Sequence, residues 1–463
     1  MTLDAVVAAN RFGLGARPGE LDRARSDARG WLLGQITGSR PLPDEIRRLP
    51  SSAEIFRAYS GLRRDRKEAQ SDPAAAKRLL GALRTQLAPY YLDQVAARYR
   101  VAVATAESFR ERLVHFWTNH FAVSADKPQV LALAGTLENE AIRPYVTGRF
   151  ADMLAAVEAH PAMILYLDNQ ASIGPGSQLA QRRGRRAAAS DRKLGINENL
   201  AREILELHTL GVDGGYTQHD VTTFAQTLTG WSLGADRPFL GGEPGKFAFH
   251  DIAHEPGAKT ILGTRYAQSG VAQPRAVLAD LARHPATARH LAFKLARHFV
   301  ADDPPAEAVE RIAKAFSTSD GDLPTVHRAV LDTPAAWATP AVKFKTPHEL
   351  VVSSLRMIDF IPAEPRQIAA PFDLLGQRPY TPGSPAGWPD TATQWDGADA
   401  LLKRIEWAGS VAGRVASREQ PLDLGERSLG AALDERARVA MTRAASAEQG
   451  ITLLLASPQF QRR

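Results

Sequence analysis

Apolar residues recur along this chain at helical spacing, and the runs between Pro and Gly carry strong helix formers rather than β-branched alternation. The pattern predicts a mainly α architecture, one large multi-helical domain over 1–463 with long irregular loops. Residues 1–50 read as a helical arm, broken at Phe12-Gly13-Leu14-Gly15 and restarted at Pro18. From Ser52 to about Ala104 the pattern stays helical and highly charged, with Arg63-Arg64-Asp65-Arg66-Lys67-Glu68 as an exposed face. Between Trp231 and Gly270 it changes: KFAFHDIAH and KTILG predict short strands of one small hairpin, a β insertion at about 240–265. Helices return over 271–362, where Leu291, Leu295 and Phe299 face a core and Lys294 and His298 lie on a neighbouring strip. PFDLLGQRPYTPGSPAGWPD is too rich in Pro and Gly for regular structure, so it predicts a long loop pinned by Phe372, Tyr380 and Trp388, a wall or lid of a site. Two or three helices from Ala398 to Phe460 close the domain.

Polar residues break this pattern most sharply between Gly195 and Trp231. On a straight α-helix Leu200, Ile204 and Leu207 form an apolar line, Asn199, Glu203 and Glu206 share a second face, and Glu198 and Arg202 pair on a third. His208 then stands about 160° from Glu206, which excludes a shared metal. Gly211 is placed for a left-handed cap, Asp213-Gly214-Gly215 for a tight turn beside Tyr216, and Thr217 with Asp220 for a capping box that opens a second helix towards Trp231. A solvated charged face is the plain reading of the two glutamates; a polar pocket is the functional one.

Other candidates are scattered. In the helix predicted from Ser108 to Phe121, Arg112, His115 and Asn119 share a face, whereas Leu113, Phe116, Trp117 and His120 lie on the apolar side. The histidines are either satisfied core residues or parts of a polar site. His160-Pro161 starts a helix that ends at Asp168-Asn169, and the loop after it is placed to bring Asp168, Asn169 and Ser172 to a cleft. His250, Asp251, His254 and Glu255 cluster in a poorly helical stretch, a weak metal motif.

Composition narrows the chemistry. With 463 residues and no cysteine, the chain excludes disulfides, cysteine nucleophiles and thiolate metal sites. No H-E-x-x-H, P-loop or nucleophile elbow occurs. The N-terminus lacks the pattern of a secretory signal, and no run approaches the ~18 apolar residues of a membrane span, so a soluble cytoplasmic protein is expected, with envelope or periplasmic association through a partner as the alternative. The net charge is +6, partly from QRRGRRAAASDRKLG at 181–195. Without interleaved aromatics this tract predicts a solvated loop rather than a nucleic-acid site.

NENLAREILELHTLGVDGGYTQHDV followed by LTGW resembles the signature of the bacterial family named domain of unknown function 1800. RFGLGARPGEL at 11–21, HFWTNHFAVS at 115–124, HPAMILYLDNQASIGP at 160–175, HEPGAKTILG at 254–263, HPATARHLAFKLARHFVADDPP at 284–305, PAGWPD at 385–390 and LLLASPQFQRR at 453–463 resemble its blocks in order. The resemblance implies a helical fold and a neighbouring gene for an exported protein like the alkaline phosphatases and sulfatases. It brings no established reaction. It also raises His120 above His115 as a site residue. The expected site has Glu203, Glu206 and His120 as acid–base groups, with Asn199, Asp168, Asn169, Asp213, Tyr216, Trp231 and His254 around the substrate. It is expected either as a like-charged carboxylate pair that splits its pKa values or as a carboxylate–histidine site for a divalent metal. The matching function is a hydrolase for a polar substrate, an envelope glycan. The alternative is a non-enzymatic helical module that binds or escorts the exported partner.

Overall fold

Prolines, glycines and capping side chains cut the chain into helices where the sequence pattern places them. The computed structural model describes residues 2–58, 73–184, 195–234 and 241–463. The charged run at 63–68 and most of the basic tract at 181–195 lie outside the described residues. The long helix α1 (Pro73–Ala104) leads into α2 (Ser108–His120). Nearly every side chain of α2 is buried, as befits a helix enclosed on all sides. Its Phe109 and Trp117 join an aromatic cluster with Phe12, Phe121, Phe150 and Phe299, ring centroids 5.7–6.2 Å apart in the pairs Phe109–Phe299, Trp117–Phe150 and Trp117–Phe121. One contiguous buried cluster runs from Val7 to Phe460, so α2 is central to the core.

The stretch after Gly195 departs from a straight α-helix. α3 (Asn199–Glu203) widens into a π turn over Ile204–His208, and His208 turns inward to Glu158. Gly211 takes the left-handed conformation at φ 85°, where a Cβ would also meet the His290 ring at 2.9 Å. The capping box of Thr217 and Asp220 forms on both sides and starts α4 (Gln218–Leu228).

The predicted single hairpin is two. β1 (Trp231–Leu233) pairs antiparallel with β2 (Phe247–Phe249), and β3 (Lys259–Ile261) pairs with β4 (Thr264–Tyr266). KFAFHDIAH and KTILG therefore do not pair with each other; each finds a nearer partner across a glycine-containing connection. α5 (Pro285–Phe299) starts on the His284 side chain and buries Leu291, Leu295 and Phe299 completely. α6 (Pro347–Met357) starts on a second capping box, Thr346 with Glu349. The Pro-Gly-rich loop is shorter than expected, because its first residues extend a helix over Pro365–Leu374. The C-terminal part has five short helices rather than two or three: Ala398–Val415, Pro421–Leu429, Glu435–Thr442, Ala447–Ala456 and Pro458–Gln461. No helix among the described residues is long and apolar enough to cross a membrane.

Candidate functional site

The exposed turn of α2 opens on a cavity of about 400 Å³, within the range of small-molecule sites. Further walls come from α1 at Arg98 and Tyr99, the cavity side of α5, the first turn of α6 and the loop through Gly387-Trp388. Asn119 fixes that loop by donating Nδ2–H to the Trp388 carbonyl (2.9 Å) and accepting from the Trp388 N–H (2.7 Å). The close approach requires glycine at 387, where φ is 85° and a Cβ would lie 2.3 Å from the Asn119 carbonyl.

α5 supplies a histidine–carboxylate pair and a lysine. His298 Nδ1 lies 2.7 Å from Asp390 Oδ2. Burial drives His298 down to about 4, so the imidazole is neutral and gives its Nδ1–H to the carboxylate. That tautomer leaves a lone pair on Nε2, in long contact (3.4 Å) with Arg112. Burial pushes Asp390 up, but His298, Lys343 and Arg463 outweigh it and bring the carboxyl down to about 2. One helical turn before His298, Lys294 lines the cavity with no hydrogen bond or ion pair among the described residues, and burial lowers its ammonium to about 8.

α1, α2 and α6 together hold a second proton-handling group. Tyr99 Oη is 2.9 Å from His348 Nδ1, His348 Nε2 is 2.9 Å from His115 Nδ1, and His115 Nε2 is 3.4 Å from Glu111 Oε1. Arg143 grips both Glu111 oxygens at 2.5 and 2.8 Å; although burial raises the Glu111 carboxyl, this guanidinium with His115 keeps it ionised. With Tyr99 as the hydroxyl donor the order runs inward, Tyr99 giving to His348 and His348 to His115, whose own Nε2 faces the Glu111 carboxylate without a hydrogen bond. Burial keeps both histidines neutral at rest.

Glu111, His115 and Glu138 also bring ligand atoms within 4.8 Å of one another, the spacing of a metal site. Their lone pairs are already committed, however. Arg98, Arg143 and Thr118 all donate to Glu138, and Arg143 occupies Glu111. A cation would have to displace two buried guanidiniums, so the donor set fits an ion-pair network rather than a metal.

His120, the third histidine of this wall, gives Nε2–H to the His208 carbonyl (3.2 Å), and His290 gives its own to the Leu207 carbonyl (3.1 Å). The π turn thus uses its terminal carbonyls to set two tautomers. His120 Nδ1 remains buried without a hydrogen-bond partner.

The sequence model of the family described as "Protein of unknown function (DUF1800)" matches residues 7–462. The chain belongs to this family. No curated protein and no solved structure matches it.

Of the site residues predicted from the DUF1800 signature, the structure brings His120 alone into the cavity. Glu203 and Glu206 are half-buried on the far side of the π turn, Asn199 and Asp213 are exposed, and Tyr216 leans on Glu206. None of these lines this cavity, which takes only His120 from the expected set. The straight-helix reading fails because the turn widens at Ile204 and draws the following carbonyls towards His120 and His290. Asp168 is exposed and paired with Lys127 at 2.7 Å. Asn169 braces the backbone of Leu228 and Trp231, Trp231 donates to the Glu158 carbonyl, and His254 donates to the Thr229 carbonyl. Those contacts hold β1 in place. The sequence pattern places Lys294 and His298 on a strip beside the core line as structural residues, and does not single out His348, Tyr99 or Asp390. The signals were present: Lys294 and His298 stand at i,i+4 beside an apolar line, and T-P-H-E at 346–349 is a capping box that places a histidine in a first helical turn.

Proposed function

We propose that this chain is a hydrolase whose active site is the cavity between α2, α5 and α6. The observation that carries the reading is His298, oriented by Asp390 at 2.7 Å, on the same wall as the unpaired Lys294. A neutral imidazole with a fixed tautomer can exchange its long contact with Arg112 for water, take a proton from it at Nε2 as the oxygen attacks, and return that proton to the leaving group as the substrate bond breaks. Lys294 would hold an anionic group of the substrate or the negative charge that develops on attack. The Tyr99 hydroxyl, which gives its proton to His348, would accept a hydrogen bond from a substrate hydroxyl. A polar, hydroxyl-bearing and anionic substrate, such as an acidic glycan, fits these groups and the cavity volume. A module that only escorts a partner would need neither an oriented imidazole nor an unpaired ammonium in one cavity.

The test is turnover on an array of glycoside, phosphoester, sulfate ester and carboxylic ester substrates, with wild type beside His298→Ala. The expected result is one active class and a loss of about 100-fold or more in the variant, the usual worth of a positioned proton-transfer group. A folded variant that keeps full turnover would sink the proposal.

A further inference from the structure

A second cavity, about 660 Å³, lies between the N-terminal helix Leu3–Val7 and the C-terminal residues. Its walls include Leu3, Val6, Val7, Pro340, Val342 and Leu429. Leu3 and Val342 are 44% and 53% exposed, so the apolar lining continues to the surface. Three arginines and no Asp or Glu side chain join these walls. Arg463 is neutralised from the other side, its Nε 2.5 Å from Glu349. Arg11 is not: it is 2% exposed, gives Nη1–H to the Ala336 carbonyl, keeps its Nε buried without a partner, and forms no ion pair among the described residues. Arg462 stands exposed and likewise without an ion pair among the described residues. A buried guanidinium without a counter-ion is costly, and the largely apolar walls offer it no anionic side chain in exchange.

We propose that this cavity binds a long-chain monoanionic amphiphile, a fatty carboxylate, with its alkyl chain along Val6, Val7 and Leu429 and its carboxylate on Arg11. The occupant follows from charge complementarity. A neutral alkane would leave Arg11 unpaired, and a compact anion such as phosphate would leave the apolar walls empty. A carboxylate supplies the counter-charge that Arg11 lacks, and the alkyl chain covers the surface open at Leu3 and Val342. This site is separate from the proposed hydrolytic cavity and does not depend on it.

Displacement of dansyl-undecanoic acid from the full-length protein tests the proposal, with palmitate and hexadecanol as competitors. Palmitate should displace the probe with one site per chain, and hexadecanol should be at least about tenfold weaker, the worth of one charge-assisted hydrogen-bonded pair. Arg11→Met should weaken palmitate to the level of the alcohol. Ala432→Trp, which fills the cavity without touching Arg11, should abolish displacement by both, and serves if the Arg11 variant does not fold. Absence of probe binding, equal affinity for acid and alcohol, or unchanged palmitate affinity in Arg11→Met would each overturn it. So would self-association through this face without amphiphile binding, which would assign the cavity to a second copy of the chain.

Discussion

The signature helix and the cavity behind it both carry carboxylates withdrawn from water, half-buried in the first and deeper in the second, yet they hold them in opposite ways. Glu203 has no ion pair among the described residues, and burial with the neighbouring Glu206 raises its carboxyl. Asp390 and Glu349 sit deeper, but arginines and His298 hold them ionised. Burial alone perturbs an acid; a partner gives the perturbed group a direction. Asp390 directs the His298 tautomer, whereas Glu203 directs nothing that the described residues show. The difference teaches that the most conspicuous polar helix in the sequence supports the site from outside, through the carbonyls of its π turn.

The largest break in that comparison should come from the loop clamp. Gly387→Ala forces a Cβ against Asn119, so Trp388 and Asp390 must shift and the His298 tautomer loses its guide. Turnover on the substrate found by the array should fall about 100-fold, as a misplacement near 1 Å can cost. Unchanged kinetics would detach the loop from the site. Lys294→Met should act next in size, raising KM about tenfold or more while the fold persists, since it removes a charge-assisted contact and no partner is left unpaired. An effect confined to kcat would instead make Lys294 a proton donor.

Glu158→Gln sharpens the other half of the comparison. His208 would lose its carboxylate and stay buried, so the melting temperature should fall by the equivalent of ~1–3 kcal/mol. Turnover should change less than in the cavity variants.

The smallest effect concerns pH. His298 and His290 are both brought to about 4 and His327 to about 3 by burial, below the ordinary ~6.5 of an exposed histidine. Between those values the unfolded chain binds more protons than the folded one, so stability rises with pH through that window. Acidification from pH 7 to pH 5 should lower the melting temperature by a few degrees; a rise would mean that these histidines are charged in the fold.

Much of this was legible in the sequence. The mainly helical fold, the Gly211 cap, the Thr217 box and the pinned loop at Tyr380 and Trp388 follow from local chemistry, because each is decided within a few residues. The π turn was not legible, since nothing in ILELH distinguishes it from an α turn until His120 and His290 arrive to claim the terminal carbonyls. The hydrogen-bonded ring chain was hidden for a similar reason: Tyr99, His115 and His348 come from three helices, and only packing reveals that their rings meet.

The central claim is that the cavity, and not the Glu203–Glu206 face, is where chemistry happens. Its most direct test is kcat/KM for His298→Ala against the Glu203→Gln/Glu206→Gln double variant, on one substrate, with both variants shown folded by their melting temperatures. The account predicts a loss of about 100-fold or more for the first and less than about threefold for the second. The reverse order would contradict it and return the active site to the signature helix.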